Sequence, residues 1–340
     1  MNTMKASVFK DINHFEVVDV PKPQITNPDD VLIKVLVCSI CGTDVKVAES
    51  FDAGYGNNLG KIFGHEFVGE VCEVGSGVKE IKIGDRVVVN PNSYCCTCKN
   101  CQNGYRNHCE NMELIGLTHP GAFAQYIKAR ELQVFPISKD VPLNKAAFAE
   151  PLSCAMNGFS RLDITPGDTC VVFGCGPIGL LFAQLARLNG ARVACIELKK
   201  NRQEYAKKLG FPVFDPDTTE NLTEKLEALW GRRANYIIDA AGVDIGLPIG
   251  IAEFCGKILC FAGPRTPNDD AIGQIQFKEL TIMGSFIIKD SMKRAITLLE
   301  NDVLDLEPII THVLPLEELD KGLELMRTGE GMEIIMEISK

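Results

Sequence analysis

The stretch Val171-Val172-Phe173-Gly174-Cys175-Gly176-Pro177-Ile178-Gly179 constrains this chain more than any other. Apolar residues run into three glycines in the order G-x-G-x-x-G, and a mostly apolar, helix-like run follows from Leu180 to Leu188. In that pattern Gly174 allows the tight strand-to-helix turn and Gly176 leaves room for a pyrophosphate at the backbone. Gly179 lets the helix sit close against the strand. The helix opening at Pro177 and Ile178 presents N–H groups and a partial positive charge to phosphates. A second apolar run, Arg192-Val193-Ala194-Cys195-Ile196, ends at Glu197. That is about twenty residues on, where a carboxylate would meet the adenosine ribose of a dinucleotide. A glycine turn alone also occurs as a packing turn in other α/β proteins. The second run and Glu197 favour dinucleotide binding.

From about residue 153 to 289 strand and helix patterns alternate. Strands are expected at Thr169–Phe173, Arg192–Glu197, Tyr236–Asp239, Lys257–Phe261 and Leu280–Met283, with helices between them such as Asn201–Leu209 and Asn221–Trp230. Such alternation predicts a doubly wound α/β domain with a parallel sheet. Residues before it read as mostly β, for example Asp30–Val37, Phe67–Val74 and Asp85–Val89, broken by glycine, asparagine and proline clusters. After Ser291 a helix-like run, Met292–Leu299, and a final helix–strand pair are too short for a domain. This tail is expected to pack back onto the first domain.

At 340 residues the chain is long enough for two domains. No apolar run approaches the length of a bilayer span. No signal-peptide core follows Met1-Asn2-Thr3-Met4-Lys5, so a cytoplasmic protein is expected. A net charge of −10 argues against a nucleic-acid partner, which would call for a basic stripe. Fourteen cysteines without a secretion signal point to metal binding or burial rather than disulfides. Cys72, Cys154, Cys170, Cys195, Cys255 and Cys260 sit in apolar runs and read as small buried hydrophobes.

Cys95, Cys98, Cys101 and Cys109 follow the pattern C-x-x-C-x-x-C-x(7)-C. Four thiolates this close can close a tetrahedral site, the usual arrangement of structural zinc. An iron–sulfur cluster also takes four cysteines, but the common ferredoxin spacings differ. Cys96 falls outside the pattern. A scattered second set comprises Cys41-Gly42-Thr43-Asp44, Gly64-His65-Glu66 and Glu150-Pro151. A thiolate, an imidazole and one or two carboxylates can make a mononuclear site with a position left for water or substrate. Read singly, His65 could be a structural histidine, Glu66 a surface charge and Cys41 a core residue.

Taken together and in order, these pieces, with Gly84-Asp85-Arg86-Val87, resemble the zinc-containing medium-chain dehydrogenase/reductase superfamily of alcohol, sorbitol and threonine dehydrogenases. The resemblance implies an α/β protein with a GroES-like, mostly-β catalytic domain at 1–152, carrying a four-cysteine zinc lobe at 91–110. A Rossmann domain at 153–289 follows, and a segment at 290–340 completes the catalytic domain. It implies one catalytic zinc held by Cys41, His65 and Glu66 or Glu150, with Thr43 the first hydroxyl of a proton path, and one structural zinc. Glu150 before Pro151 looks like the polyol and threonine branches, which points to a polyol, sugar alcohol or polyol phosphate substrate. A homodimer or homotetramer is expected.

Three positions depart from the family pattern. Lys46 stands where many relatives carry histidine, Ile287 where sorbitol dehydrogenases carry arginine, and Gly331-Met332 where Gly-Lys usually opens the last strand. NAD is expected over NADP, because Glu197 would face the 2′-phosphate of NADP. Lys199, Lys200 and Arg202 lie close enough to hold a phosphate, but sorbitol dehydrogenases carry an arginine at the Arg202 position and use NAD. Two rival readings stand beside this one: a threonine 3-dehydrogenase-like enzyme, and a non-catalytic zinc-stabilised dinucleotide-binding protein.

Overall fold

A computed structural model describes residues 3–263 and 271–339. The first two residues and the stretch 264–270 of the predicted parallel-sheet domain lie outside the described residues. The chain forms two compact units, one of Met1–Ser153 with Ile288–Lys340 and one of Cys154–Ile287.

The first unit begins with the hairpin β1 (Thr3–Asp11) and β2 (His14–Pro21). Its central strand is β3 (Asp30–Ser39), flanked by β4 (Glu66–Val74) and then β5 (Arg86–Val89). Two-residue strands β6 (Asn92–Ser93) and β7 (Glu113–Leu114) pair at the base of the cysteine lobe. The strands β8 (Tyr126–Arg130) and β9 (Val134–Pro136) pair with β3 and β5. Eight of the ten β3 residues are buried, as expected of the apolar run at 31–38 once both faces are covered. Phe9, Phe15 and Phe63 pack in the same core, with Phe63 5.7 Å from Phe9 and 5.3 Å from Phe15 between ring centroids. That cluster anchors the segment leading into Gly64 and His65.

The second unit is one six-stranded parallel sheet: β10 (Thr169–Phe173), β11 (Arg192–Ile196), β12 (Val213–Phe214), β13 (Ala234–Asp239), β14 (Ala252–Cys260) and β15 (Thr281–Gly284). Their spatial order is β12-β11-β10-β13-β14-β15, so the order reverses beside β10, the point where open α/β sheets bind dinucleotides. The alternation in the sequence has this cause: each parallel neighbour needs a crossover, and a helix supplies it. β14 begins at Ala252, five residues ahead of the expected start, and its added residues Glu253, Phe254 and Cys255 are not buried, so they do not read as part of an apolar run.

One of the cysteine expectations is corrected here. Cys170 and Cys195 are buried, while Cys72, Cys154 and Cys260 are only part-buried. Cys255 is exposed, with a left-handed φ of 58°. The register between β13 and β14 slips between Ala234 and Tyr236, and this irregularity turns Cys255 out of the core.

The chain then returns to the first unit. β16 (Ile310–Pro315) pairs with β17 (Glu333–Glu337), and β17 pairs antiparallel with β3.

Asp30 ties the start of β3 to its surroundings. Its Oδ2 accepts from Thr26 N at 2.9 Å, Asn27 N at 2.8 Å, Thr26 Oγ1 at 3.1 Å and Lys128 Nζ at 2.9 Å. Burial alone would raise its carboxyl, but these donors outweigh it and hold it well below the usual carboxylate range. A depressed carboxylate stabilises the fold above its unfolded value near 4, and that contribution disappears as pH falls toward the folded value. Asp30→Asn is expected to cost about 2–3 kcal/mol at neutral pH, the scale of hydrogen bonds to a charged group. Urea denaturation between pH 7 and pH 3 should then show a smaller acid loss in the variant than in the parent. Parallel pH profiles would remove Asp30 from the account of acid stability.

Candidate active site

Cys41 is the N-cap of the helix Gly42–Ala48. Its Sγ accepts from Thr43 N at 3.4 Å, and Asp44 Oδ2 accepts from Cys41 N at 2.9 Å. This reciprocal box sets the sulfur at the end of β3, facing the start of β4. His65 and Glu66 arrive from the other side, behind Gly64, which has a φ of 91°. A Cβ on Gly64 would lie 2.9 Å from Phe123 N, so both conformation and space require glycine.

The ligand atoms of Cys41, His65 and Glu66 lie within 4.8 Å of one another. His65 and Glu66 are buried. Ser39 Oγ donates to Glu66 Oε2 at 2.6 Å. Asp44 is fully buried, and its Oδ1 lies 3.5 Å from His65 Nδ1, just beyond hydrogen-bond reach. His65 Nδ1 therefore has no hydrogen-bond partner, although a small shift toward Asp44 would supply one. Asp44 thus stands where a carboxylate fixes the tautomer of a ligating histidine.

The electrostatics of this group call for a cation. Desolvation pushes the Cys41 thiol up to about 12, with Glu66 adding to the rise. Burial also raises the Glu66 carboxyl. Burial opposes a charged His65, yet Asp44 and Cys41 raise its imidazole well above the usual value. A thiolate, an imidazole and a carboxylate also form a donor set suited to zinc, so the residues fit that ion.

Glu150 is buried in the first turn of the helix Ala149–Phe159, outside the group of three. Thr43 is part-buried beside Cys41, and Lys46 is exposed on the same helix. Asp44, Ser39 and Glu333 belong to the site although sequence reasoning assigned them no role. Asp44 was findable as the third residue after a helix-capping Cys41. Glu333 was not, because it stands at the end of the apolar run Ile334-Ile335-Met336, and nothing local to it shows which strand lies beside β17.

In the cysteine lobe, Cys95, Cys98, Cys101 and Cys109 also bring their sulfurs within 4.8 Å of one another. Backbone amides point at these sulfurs: Cys98 N at Cys95 and Asn111 N at Cys109, both at 3.3 Å, and Cys101 N at Cys98 at 3.5 Å. Hydrogen bonds, first from Thr97, hold the Cys95 thiol down at about 5, and amides of Cys101 and Glu110 lower that of Cys98. Desolvation pushes Cys101 up to about 12. Cys96 lies outside the group, exposed, with φ 60°.

The second unit carries the glycine turn. Gly174 has a φ of 90°, and a Cβ on Gly179 would lie 1.9 Å from Gly174 O, so helix and strand meet at glycine. Gly176 caps the helix Pro177–Leu188. Pro177 has no N–H, so Ile178 and Gly179 offer the first amides at the helix start. Glu197 is buried and its carboxylate turns back to the glycine turn, accepting from Cys175 N at 2.7 Å and from Lys199 N at 2.8 Å. Each oxygen keeps a second lone pair for a ligand hydroxyl. Arg202 lies over the turn, its Nη1 3.6 Å from where a Gly176 Cβ would be, and its buried Nε has no partner.

A sheet with a phosphate turn at its switch point, and a thiolate–imidazole–carboxylate cluster in a mostly-β unit, define a metal-assisted dinucleotide-linked oxidoreductase. Residues 27–139 match the family described as alcohol dehydrogenase GroES-like domain, and residues 177–301 match zinc-binding dehydrogenase. The chain is 34% identical over 94% of its length to L-threonine 3-dehydrogenase of Bacillus velezensis, covering 94% of that protein. It is 32% identical over 97% of its length to D-arabinitol dehydrogenase 1 of Uromyces fabae, covering 96% of it. A zinc-binding dehydrogenase of Sinorhizobium meliloti 1021, solved bound to NADP, superposes with a TM-score of 0.88 at 29% identity, covering 99% of each chain. The chain belongs to the zinc-containing medium-chain alcohol dehydrogenase family, and it is an oxidoreductase acting on CH–OH donors. Among the described residues no helix is long and apolar enough to cross a membrane.

Proposed function

We propose that this enzyme oxidises a secondary alcohol of a polyol, sugar alcohol or polyol phosphate with NAD, using one zinc ion at Cys41, His65 and Glu66 and a second at Cys95, Cys98, Cys101 and Cys109. The convergence of Cys41, His65 and Glu66 carries this reading. It also weighs against a non-catalytic role, which has no need of a thiol, an imidazole and a carboxylate gathered this closely. Zinc, when bound, supplies a Lewis acid for the substrate hydroxyl, and the nicotinamide takes the hydride. Cys41 and Glu66 offset the metal's charge. Asp44 orients His65, and the Thr43 hydroxyl takes the substrate proton toward solvent. Glu150 lines the site rather than holding the ion at rest.

The threonine 3-dehydrogenase reading is favoured by the 34% identity to the Bacillus velezensis enzyme. The D-arabinitol relative and the Glu150-Pro151 pair favour polyols. A screen of polyols, polyol phosphates and L-threonine for NADH formation separates the two. Turnover of threonine alone would remove the polyol reading. A homodimer or homotetramer is in keeping with the exposed Phe254, Ile272, Phe277 and Ile282 near the edge strand β15, and light scattering measures it.

NAD preference rests on Glu197. A 2′-phosphate placed at this buried carboxylate would meet like charge, whereas Arg202 is a cation within reach of a phosphate. We expect kcat/KM to favour NAD at least tenfold, a difference of about 1.4 kcal/mol. Glu197→Ala should lose most of that preference, and also weaken the glycine turn that its carboxylate braces. Equal efficiency with NAD and NADP in the parent would mean that Arg202 offsets Glu197, and the preference would be withdrawn.

A further inference from the structure

Glu333 opens β17 as a carboxyl group only 3% exposed, and its Oε1 has no hydrogen-bond partner. The register explains where it points. Ile335 of β17 stands directly opposite Ser39 of β3, and Ser39 stands directly opposite Glu66 of β4. Directly opposed residues share a face of an antiparallel sheet, and the face repeats every second residue. Glu333, two residues before Ile335, therefore shares its face with Ser39 and Glu66. After burial itself, the groups that act on its carboxyl are Glu66, Ser39 and Glu150.

Two carboxyl groups thus flank one hydroxyl. Ser39 has a single O–H to donate, and it goes to Glu66 Oε2 at 2.6 Å. While Ser39 serves Glu66, Glu333 Oε1 goes without a donor. If the hydroxyl turns to Glu333, Glu66 loses that bond and is drawn toward Cys41 and His65. We propose that Glu333 is a positioning residue of the mixed-ligand site: it competes with Glu66 for the Ser39 hydroxyl and so releases the Glu66 carboxylate to the metal. This inference rests on the reading that Cys41, His65 and Glu66 hold such an ion.

The test uses full-length protein with zinc left in the four-cysteine site and Co2+ or Zn2+ titrated into the other. In Glu333→Gln the amide donates to Glu66 and holds it back. Affinity for the second ion, read by competition with a chromophoric chelator, should fall at least tenfold, and the cobalt d–d absorption should shift. Glu333→Asp should restore most of both properties. Glu333→Leu, which removes the carboxylate without adding a donor, covers the case in which Gln impairs folding, and it too should weaken the second ion. A folded Glu333→Gln protein with parental affinity and an unchanged cobalt spectrum would overturn the proposal. A parent that binds only one ion per chain, at the four cysteines, would overturn it together with the metal-site reading.

Discussion

Cys41→Ser or His65→Ala is expected to lower kcat/KM by about 10³-fold or more, which corresponds to about 4 kcal/mol of transition-state stabilisation. Bound metal should fall from two ions per chain to one. The melting temperature should change little. Serine at 41 keeps an oxygen that can cap the helix Gly42–Ala48, where Cys41 Sγ now accepts from Thr43 N. Alanine at 65 leaves Asp44 accepting from Cys41 N at 2.9 Å and from Gly64 N at 3.3 Å, so the buried carboxylate keeps backbone donors. The cost therefore falls on chemistry rather than on folding. Metal analysis, steady-state kinetics and a thermal melt on the same preparations test it. Parental turnover in a variant shown to have lost the second ion would refute the assignment.

The other large effect is expected at the four cysteines. Between Cys95 and Glu110 the buried residues are Cys101, Asn107 and Cys109, so this segment has no apolar core of its own. Its regular structure is one four-residue helix and one 3₁₀ turn. Ordering such a loop costs about 1–2 kcal/mol per residue in backbone entropy, and a metal bound by four thiolates is the available compensation. Chelation should therefore proceed in two steps. The first ion lost takes activity and leaves the fold, because a three-ligand site is open to exchange. The second takes the lobe, and proteolysis should then cut between Cys95 and Cys109. Cys101→Ser should reach that second state without chelator. A metal-free protein that kept parental protease resistance in this segment would show that the loop folds without an ion.

How much of this was legible beforehand depended on sequence distance. The glycine turn is local: Gly174, Gly176 and Gly179 span six residues, and each has a steric reason that one strand and one helix make plain. The cysteine lobe is local in the same sense, since fifteen residues contain its ligands. Five of the six strands of the parallel sheet were readable because buried parallel strands are continuous apolar runs, whereas the two-residue β12 (Val213–Phe214) is too short to show one. Errors came where packing overrode pattern, as at Cys255, which a register slip turns outward.

The chain's own order of residues thus determined the dinucleotide turn, the four-cysteine cluster and the alternation that makes a parallel sheet. Each depends on contacts between near neighbours. Tertiary structure alone decided that Glu66 rather than Glu150 joins Cys41 and His65 within 4.8 Å, that Asp44 stands behind His65, and that Glu197 folds back onto the glycine turn. It alone brought Glu333 to Ser39 and Glu66, from nearly three hundred residues away along the chain. Strand pairing sets such meetings, and pairing partners are chosen by the packing of the whole sheet. A glutamate at the end of an apolar strand reads as a surface charge until the strand beside it is known.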